Sequence, residues 1–184
     1  MTRRSQRTPQ SVATPRPVRR VASVPVRIVP GTRGDYHALA RFHYVARPPA
    51  TFARIVAARY RDPLRGMQTV GVAVLSFPVP GVPAFGRRFG FTPSQRGRAL
   101  RFANRHVRTV SRIIVHPRFR AAGIAARLLA RLAREAPTRY LDAIAAMGSA
   151  HPLFERAGFR RLNADHPHER PYFLLDLHSA ANRR

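Results

Sequence analysis

Residues 107–115 (VRTVSRIIV) are followed, eight residues later, by a helix-forming run, and this junction constrains the fold more than any other stretch. The β-branched run is broken by His116 and Pro117, as a strand is broken by a turn. From Ile124 the period changes: Ile124, Leu128, Leu129 and Leu132 share one helical face and Arg127, Arg131 and Arg134 another, until Pro137 stops the helix. A strand that feeds an amphipathic helix through a short corner must bury that helix on a sheet, which makes this an α/β chain. At roughly 100–200 residues per domain, 184 residues imply one domain plus tails.

The remaining elements are expected as follows. Residues 26–29 form a short strand and residues 30–32 a turn. A helix opens at Gly34 and Asp35, with Asp35 as its N-cap and Tyr36, Leu39, Ala40 and Tyr44 at helical spacing, and is stopped by Pro48 and Pro49. Residues 51–60 and 68–77 pair as a hairpin around a turn at 61–66. Residues 81–104 are rich in Gly, Arg and Pro and read as a long, weakly periodic connection. Downstream, residues 140–147 suit a strand, 152–157 one or two helical turns closed by Gly158, and 170–177 a last strand.

The charge is lopsided: 34 basic residues, every one arginine, face eight acids for a net +26. Between Pro63 and Arg134 there is no acid at all. Seven arginines and no acid fall in the first 27 residues, a segment too polar to offset its ordering entropy. The expected organisation is therefore a disordered arm over 1–25, a folded domain over 26–178 and a short basic tail over 179–184. The arm suits phosphate neutralisation on nucleic acid. The absence of cysteine rules out disulfides, thiolate metal sites and a cysteine nucleophile. No run is apolar enough to span a bilayer, and the basic start lacks a secretory apolar core, so a cytoplasmic location without membrane attachment is expected.

The corner itself carries chemistry. In Ile113, Ile114, Val115, His116, Pro117, Arg118, Phe119, Arg120, Ala121, Ala122, Gly123, Ile124 and Ala125, small residues let a ligand approach the backbone, and a helix start leaves N–H groups unpaired. The helix dipole and the charges of Arg118 and Arg120 favour an anion there, and a pyrophosphate suits such a place. It is not a Walker loop, whose lysine this chain lacks.

VHPRFRAAGIA resembles motif A of the GCN5-related N-acetyltransferase (GNAT) superfamily, a strand ending in V-x-P followed by R/Q-x-x-G-x-G/A. HPLFERAGF, residues 151–159, is similar to motif B, about 30 residues further on. The resemblance covers residues 26–177 and implies a strongly bent mixed sheet flanked by helices, with a V-shaped opening between the fourth and fifth strands. It further implies acetyl-CoA as co-substrate and no metal. The pantetheine would pair with backbone groups of Ile113 and Val115, with Ile114 between them. The pyrophosphate would lie on Arg120, Ala121, Ala122, Gly123, Ile124 and Ala125, with the Arg120 side chain holding phosphate. The activity implied is N-acyl transfer, with acetyl as the group moved and an amine as acceptor.

Family members often carry a motif B tyrosine as the acid for the leaving thiolate. Here that position is Phe154, so the acid is unassigned. Candidate bases are His43, Tyr44, Asp142 and Glu155, and none is singled out by spacing. His116 reads as a turn residue. Of the remaining histidines, His151, His166, His168 and His178, the pair His166 and His168 sits in a Pro-rich turn without a nearby helical pair, so no metal site is expected. A net positive domain attracts CoA phosphates and repels cationic acceptors such as polyamines. The competing reading is a basic GNAT-fold module, without catalysis or nearly so, that binds RNA or DNA.

Overall fold

A computed structural model describes residues 24–45, 47–79, 81–145 and 152–179. The arm expected over 1–25, apart from its last two residues, and the basic tail beyond Ser179 lie outside the described residues, as do His151 and positions 146–147 of the strand expected over 140–147.

The chain runs β1 (Val26–Pro30), α1 (Arg33–Ala40), β2 (Arg54–Asp62), β3 (Gly66–Ser76), α2 (Pro83–Phe89), α3 (Arg96–His106), β4 (Val107–Val115), α4 (Ile124–Glu135), β5 (Tyr140–Ile144), α5 (Leu153–Arg156), β6 (Arg160–Arg161) and β7 (Tyr172–Asp176). The strands make one seven-stranded sheet in the order β1-β2-β3-β4-β5-β7-β6. Among the described residues only β4 and β5 run parallel, and there they pair at Val107–Tyr140, Arg108–Leu141 and Thr109–Asp142 alone. Beyond Thr109 the strands separate, while β4 stays paired with β3 as far as Val115. The expected mixed sheet with an opening between the fourth and fifth strands is thus the architecture observed. No helix among the described residues is long and apolar enough to cross a membrane.

Three packed groups cover the sheet. Helix α4 buries Ile124, Leu128, Leu129 and Leu132 against β-strand residues including Val56, Val70, Leu75 and Val110. It sits unusually close, because a Cβ on Gly71 of β3 would lie 2.9 Å from Ile124 Cγ2 and 3.1 Å from Leu128 Cδ1. On the other face, Tyr36 and Leu39 of α1 pack on Val72, Val74 and Ile114. The third group joins Phe85 of α2 and Ala99 and Ala103 of α3 to Val107, Tyr140, Tyr172 and Leu174.

That third group corrects the expected connection over 81–104, which is two helices. Each has a local cause. Pro83 occupies the first turn of α2, Gly90 ends it in the left-handed conformation, and Thr92 and Gln95 form a reciprocal capping box just before α3. The weak periodicity of the stretch reflects its packing through aromatic rings, with Phe89 4.9 Å from Phe102 and 5.2 Å from Tyr140.

Helix α1 also departs from expectation. Its N-cap is Thr32, whose hydroxyl accepts from the Asp35 N–H at 3.3 Å, while the Asp35 carboxylate accepts from the Thr32 N–H at 2.9 Å. Asp35 is the third helical residue, and its other oxygen reaches Thr69 at 2.6 Å and Arg59 at 2.7 Å, pinning α1 to β2 and β3. Burial opposes its ionisation, but hydrogen bonds from Thr69 and Thr32 and the Arg59 charge outweigh it and hold the carboxyl below the ordinary range. The helix ends at Ala40, well short of Tyr44. The Phe42 and His43 N–H groups turn back onto Leu39 and Ala40, and the Phe42 ring packs against His116 at 4.8 Å, drawing the chain toward β4.

Because Gly71 seats α4, Gly71→Val should cost about 1–3 kcal/mol through overpacking. Urea denaturation of the full chain measures this, and an unchanged midpoint would show that the contact is loose.

Candidate functional site

The opening is built by the backbone before any side chain enters it. Ser111 is the extra residue of a bulge, since Val74 pairs with Arg112 and Leu75 with Val110. Hydroxyls staple it: Ser76 and Ser111 lie 2.7 Å apart, and Ser76 donates to the Thr51 carbonyl at 2.6 Å. Past the bulge, the His116 N–H donates to the Val70 carbonyl on the β3 side at 2.9 Å. Successive residues of a strand turn their backbone groups to opposite edges. Val115 and Ile113 therefore face away from β3, into the opening that β5 has left, and Ile114 faces β3 and buries its side chain beneath α1.

The chain then turns through a single 3₁₀ turn, Pro117–Phe119, with His116 as its cap: the His116 Nδ1 accepts from the Arg118 N–H at 3.3 Å. Burial, then the charges of Arg118, Arg41 and Arg120, lower the His116 pKa and favour the neutral imidazole. The corner that follows contains two left-handed residues, Ala121 at φ +62° and Gly123 at φ +73°. For Ala121 that conformation costs about 1–2 kcal/mol. Gly123 adopts it freely, and a Cβ there would meet nothing within 4 Å. Among the described residues, no backbone bond is made by the N–H groups of Ala121, Ala122 or Gly123. The first α4-associated donor that is paired is Arg127, to the Gly123 carbonyl at 3.2 Å. Ile124, Ala125 and Ala126 head the helix without intrahelical partners. A row of unpaired donors thus continues the free edge of β4. Arg118 and Arg120 are exposed beside it, and Arg120 is folded back, its Nε 3.4 Å from the Val115 carbonyl.

At the apex, Asp142 is the last β5 residue paired with β4. Its residue is 5% exposed, its Oδ2 accepts from the Tyr172 hydroxyl at 2.9 Å, and its Oδ1 is buried with no hydrogen-bond partner. Burial pushes its pKa up to about 6, against the opposing pull of the Thr109 and Tyr172 hydroxyls. Tyr172 is itself raised, by burial and by the facing carboxylate. Tyr172 was not legible as a site residue in the sequence, where it stands among the apolar residues of a strand.

The other expected candidates are scattered. His43 and Tyr44 lie in the bend after α1. The His43 Nδ1 accepts from the Val45 N–H at 3.1 Å, and burial is the main cause of its lowered pKa. Arg112 of β4 donates to the Arg47 carbonyl at 2.7 Å and so ties this bend to the strand beside the opening. Tyr44 is 65% exposed. Glu155 is exposed on α5. Phe154 packs between Phe173 and Phe159, both at 5.3 Å, as a structural ring. His166 and His168 lie in the turn before β7, and His178 lies after it.

Residues 89–170 match the model of the acetyltransferase (GNAT) domain family. The chain carries this match from the end of α2 to just before β7, across β4, the corner and α4. Its fold is shared with a GNAT family acetyltransferase from Elizabethkingia anophelis with acetyl-CoA bound, at 15% identity and TM-score 0.51, over 83% of this chain and 98% of that one. A GNAT family acetyltransferase from Brucella melitensis in complex with acetyl-CoA is similar at 15% identity and TM-score 0.51, over 85% and 90% of the two chains. SsHAT matches at 16% identity and TM-score 0.51, over 84% and 99%. No curated protein matches the chain in sequence.

Asp142 has a folded pKa above its unfolded value near 3.9. The stability this raised pKa brings is fully present below pH ~4 and lost as pH rises through about 6. Asp142→Asn should therefore gain stability relative to the parent as pH rises from 5 to 8, by about 1–1.5 kcal/mol. Thermal melts at both pH values test this, and a pH-independent difference would contradict it.

Proposed function

We propose that this domain transfers an acetyl group from acetyl-CoA to an amine. The observation that carries the reading is that two sets of backbone groups without backbone partners face the same opening, the edge of β4 at Ile113 and Val115 and the N–H groups of Ala121 through Ala126, on either side of the 3₁₀ turn. An extended pantetheine amide chain complements the strand edge as an added strand would. A pyrophosphate complements the helix start, where donors converge and the dipole is positive. Ile114 frames the edge from the far side. Arg120 would leave the Val115 carbonyl to grip phosphate, which frees that same carbonyl for a pantetheine N–H. The cofactor thus replaces one contact with two.

The chemistry follows from where this places the thioester, at the apex beside Asp142. The neutral amine nitrogen attacks the thioester carbonyl carbon, the C–S bond breaks, and the nitrogen sheds a proton. Asp142 serves as the proton acceptor, with the Tyr172 hydroxyl holding its Oδ2. Phe154 has no proton for the departing thiolate, whose conjugate acid has a pKa near 8.5, low enough for the thiolate to leave without an acid.

Acetyl-CoA at about a hundredfold its Kd should stabilise the protein by about 2.7 kcal/mol in a thermal-shift experiment. Gly123→Glu should abolish the shift by placing a carboxylate among the donors, whereas Gly123→Asn, which tolerates the left-handed conformation, should retain most of it. A parent protein with no shift would remove the transferase reading. If turnover is then followed against pH, the rate should rise through an apparent pKa near 6, and Asp142→Asn should lose that limb. An unaltered profile would take Asp142 out of the mechanism.

A further inference from the structure

We propose that the outer face of α3 docks a single-stranded segment of RNA. Arg98, Arg101 and Arg105 follow one another at helical spacing and form a stripe, Arg96 lies in the first turn on another side of the helix, and all four are exposed. Ala99 and Ala103 face the core on the opposite side of the same helix. No hydrogen bond or ion pair joins any of these four guanidinium groups to another described residue. Of the eight acids, Glu155 and Asp165 make no ion pair with these arginines, and the other six are engaged elsewhere: Asp35 with Arg59, Glu135 with Arg54 and Arg131, Glu169 with Arg87, and Asp176 with Arg139. Asp62 accepts from the backbone of its own turn, and Asp142 from Tyr172. The stripe therefore awaits an external polyanion.

The end of the stripe says which polyanion. The Arg108 guanidinium lies 4.3 Å over the Phe77 ring, and Phe77 is 45% exposed. Arg108 is held there by the carbonyls of Asn104 and Val107, at 2.8 and 2.7 Å. A fixed ring-and-guanidinium platform is what an unstacked base packs against, and RNA proteins read single-stranded loops and ends in this way. Asn104, exposed between Arg101 and Arg105, offers an amide to a 2′-hydroxyl. A lipid surface fits worse, since the apolar residues of α3 point mostly inward and leave little to insert. Duplex DNA would meet the stripe but leave the platform unused. This docking surface is independent of the acetyl-transfer reading, because it is tested without acetyl-CoA.

Fluorescence anisotropy with a labelled 15-nucleotide single-stranded RNA and the full chain provides the test. The combined variant Arg98→Glu, Arg101→Glu, Arg105→Glu should weaken binding at least tenfold. It should also flatten the slope of log K against log salt by about 2, at roughly 0.7 per lost phosphate contact. An equal charge change at Arg27, Arg61 and Arg65, which are exposed on other elements, should cost much less. Phe77→Ala should weaken RNA severalfold and leave duplex DNA unaffected. Should the Glu variant lose its circular-dichroism melt, the corresponding Gln variant replaces it. The proposal is overturned if the α3 and control variants lose affinity equally. It is equally overturned if duplex DNA, single-stranded DNA of the same sequence, or phosphatidylserine vesicles bind as well as the RNA.

Discussion

A parallel ladder only three residue pairs long leaves the outer half of β4 bonded along one edge. Backbone donors and acceptors in a half-buried strand must find partners, and in an ordinary sheet the neighbouring strand supplies them. Here β5 leaves at Asp142, pulled toward β7, with which it pairs from Tyr140 to Ile144. The debt continues into the corner, where Ala121 and Gly123 turn the chain left-handed and α4 begins with no side chain capping it. The helix cannot relieve this by shifting, because Ile124 and Leu128 are seated against Gly71. The unsatisfied groups are thus fixed by packing well removed from them, and the site exists before any ligand arrives.

Electrostatics divides the molecule into two regimes. The eight acids are mostly structural, and Asp35 shows the pattern: it caps α1 while pairing with Arg59 and Thr69. Asp142 differs, since its carboxyl is buried at the apex with one oxygen unpartnered and a pKa pushed up to about 6. A group that costs stability when ionised and lies at the apex of an opening has the character that the proposed mechanism asks of a proton acceptor. The arginines left over by this small set of acids make the surface strongly positive, most continuously along α3.

Much of this was legible in the sequence wherever local signals and tertiary need agree. The strand over 107–115 and the start of α4 after Gly123 follow from a β-branched run, a corner of small residues and an amphipathic helix, whereas the separation of the fourth and fifth strands is implied only by the resemblance of the motifs to a known family. Helices α2 and α3 were missed although Pro83, Gly90 and the Thr92–Gln95 capping box mark their ends, because phenylalanine clusters replaced a clean helical stripe. Asp35 was read as the N-cap when the hydroxyl three residues earlier performs that task. The partnership of Asp142 with Tyr172 joins positions 30 apart in the chain and depends wholly on β5 lying beside β7. No local pattern carries that information.

The central claim is that the free edge of β4 and the corner amides form one continuous binding surface. Hydrogen exchange by mass spectrometry, with and without saturating acetyl-CoA, addresses it most directly. Slowed exchange should concentrate in peptides spanning residues 113–126, with Ile113, Val115 and the amides of Ala121 to Ala126 protected together. Protection elsewhere with these amides still exchanging freely would contradict the account.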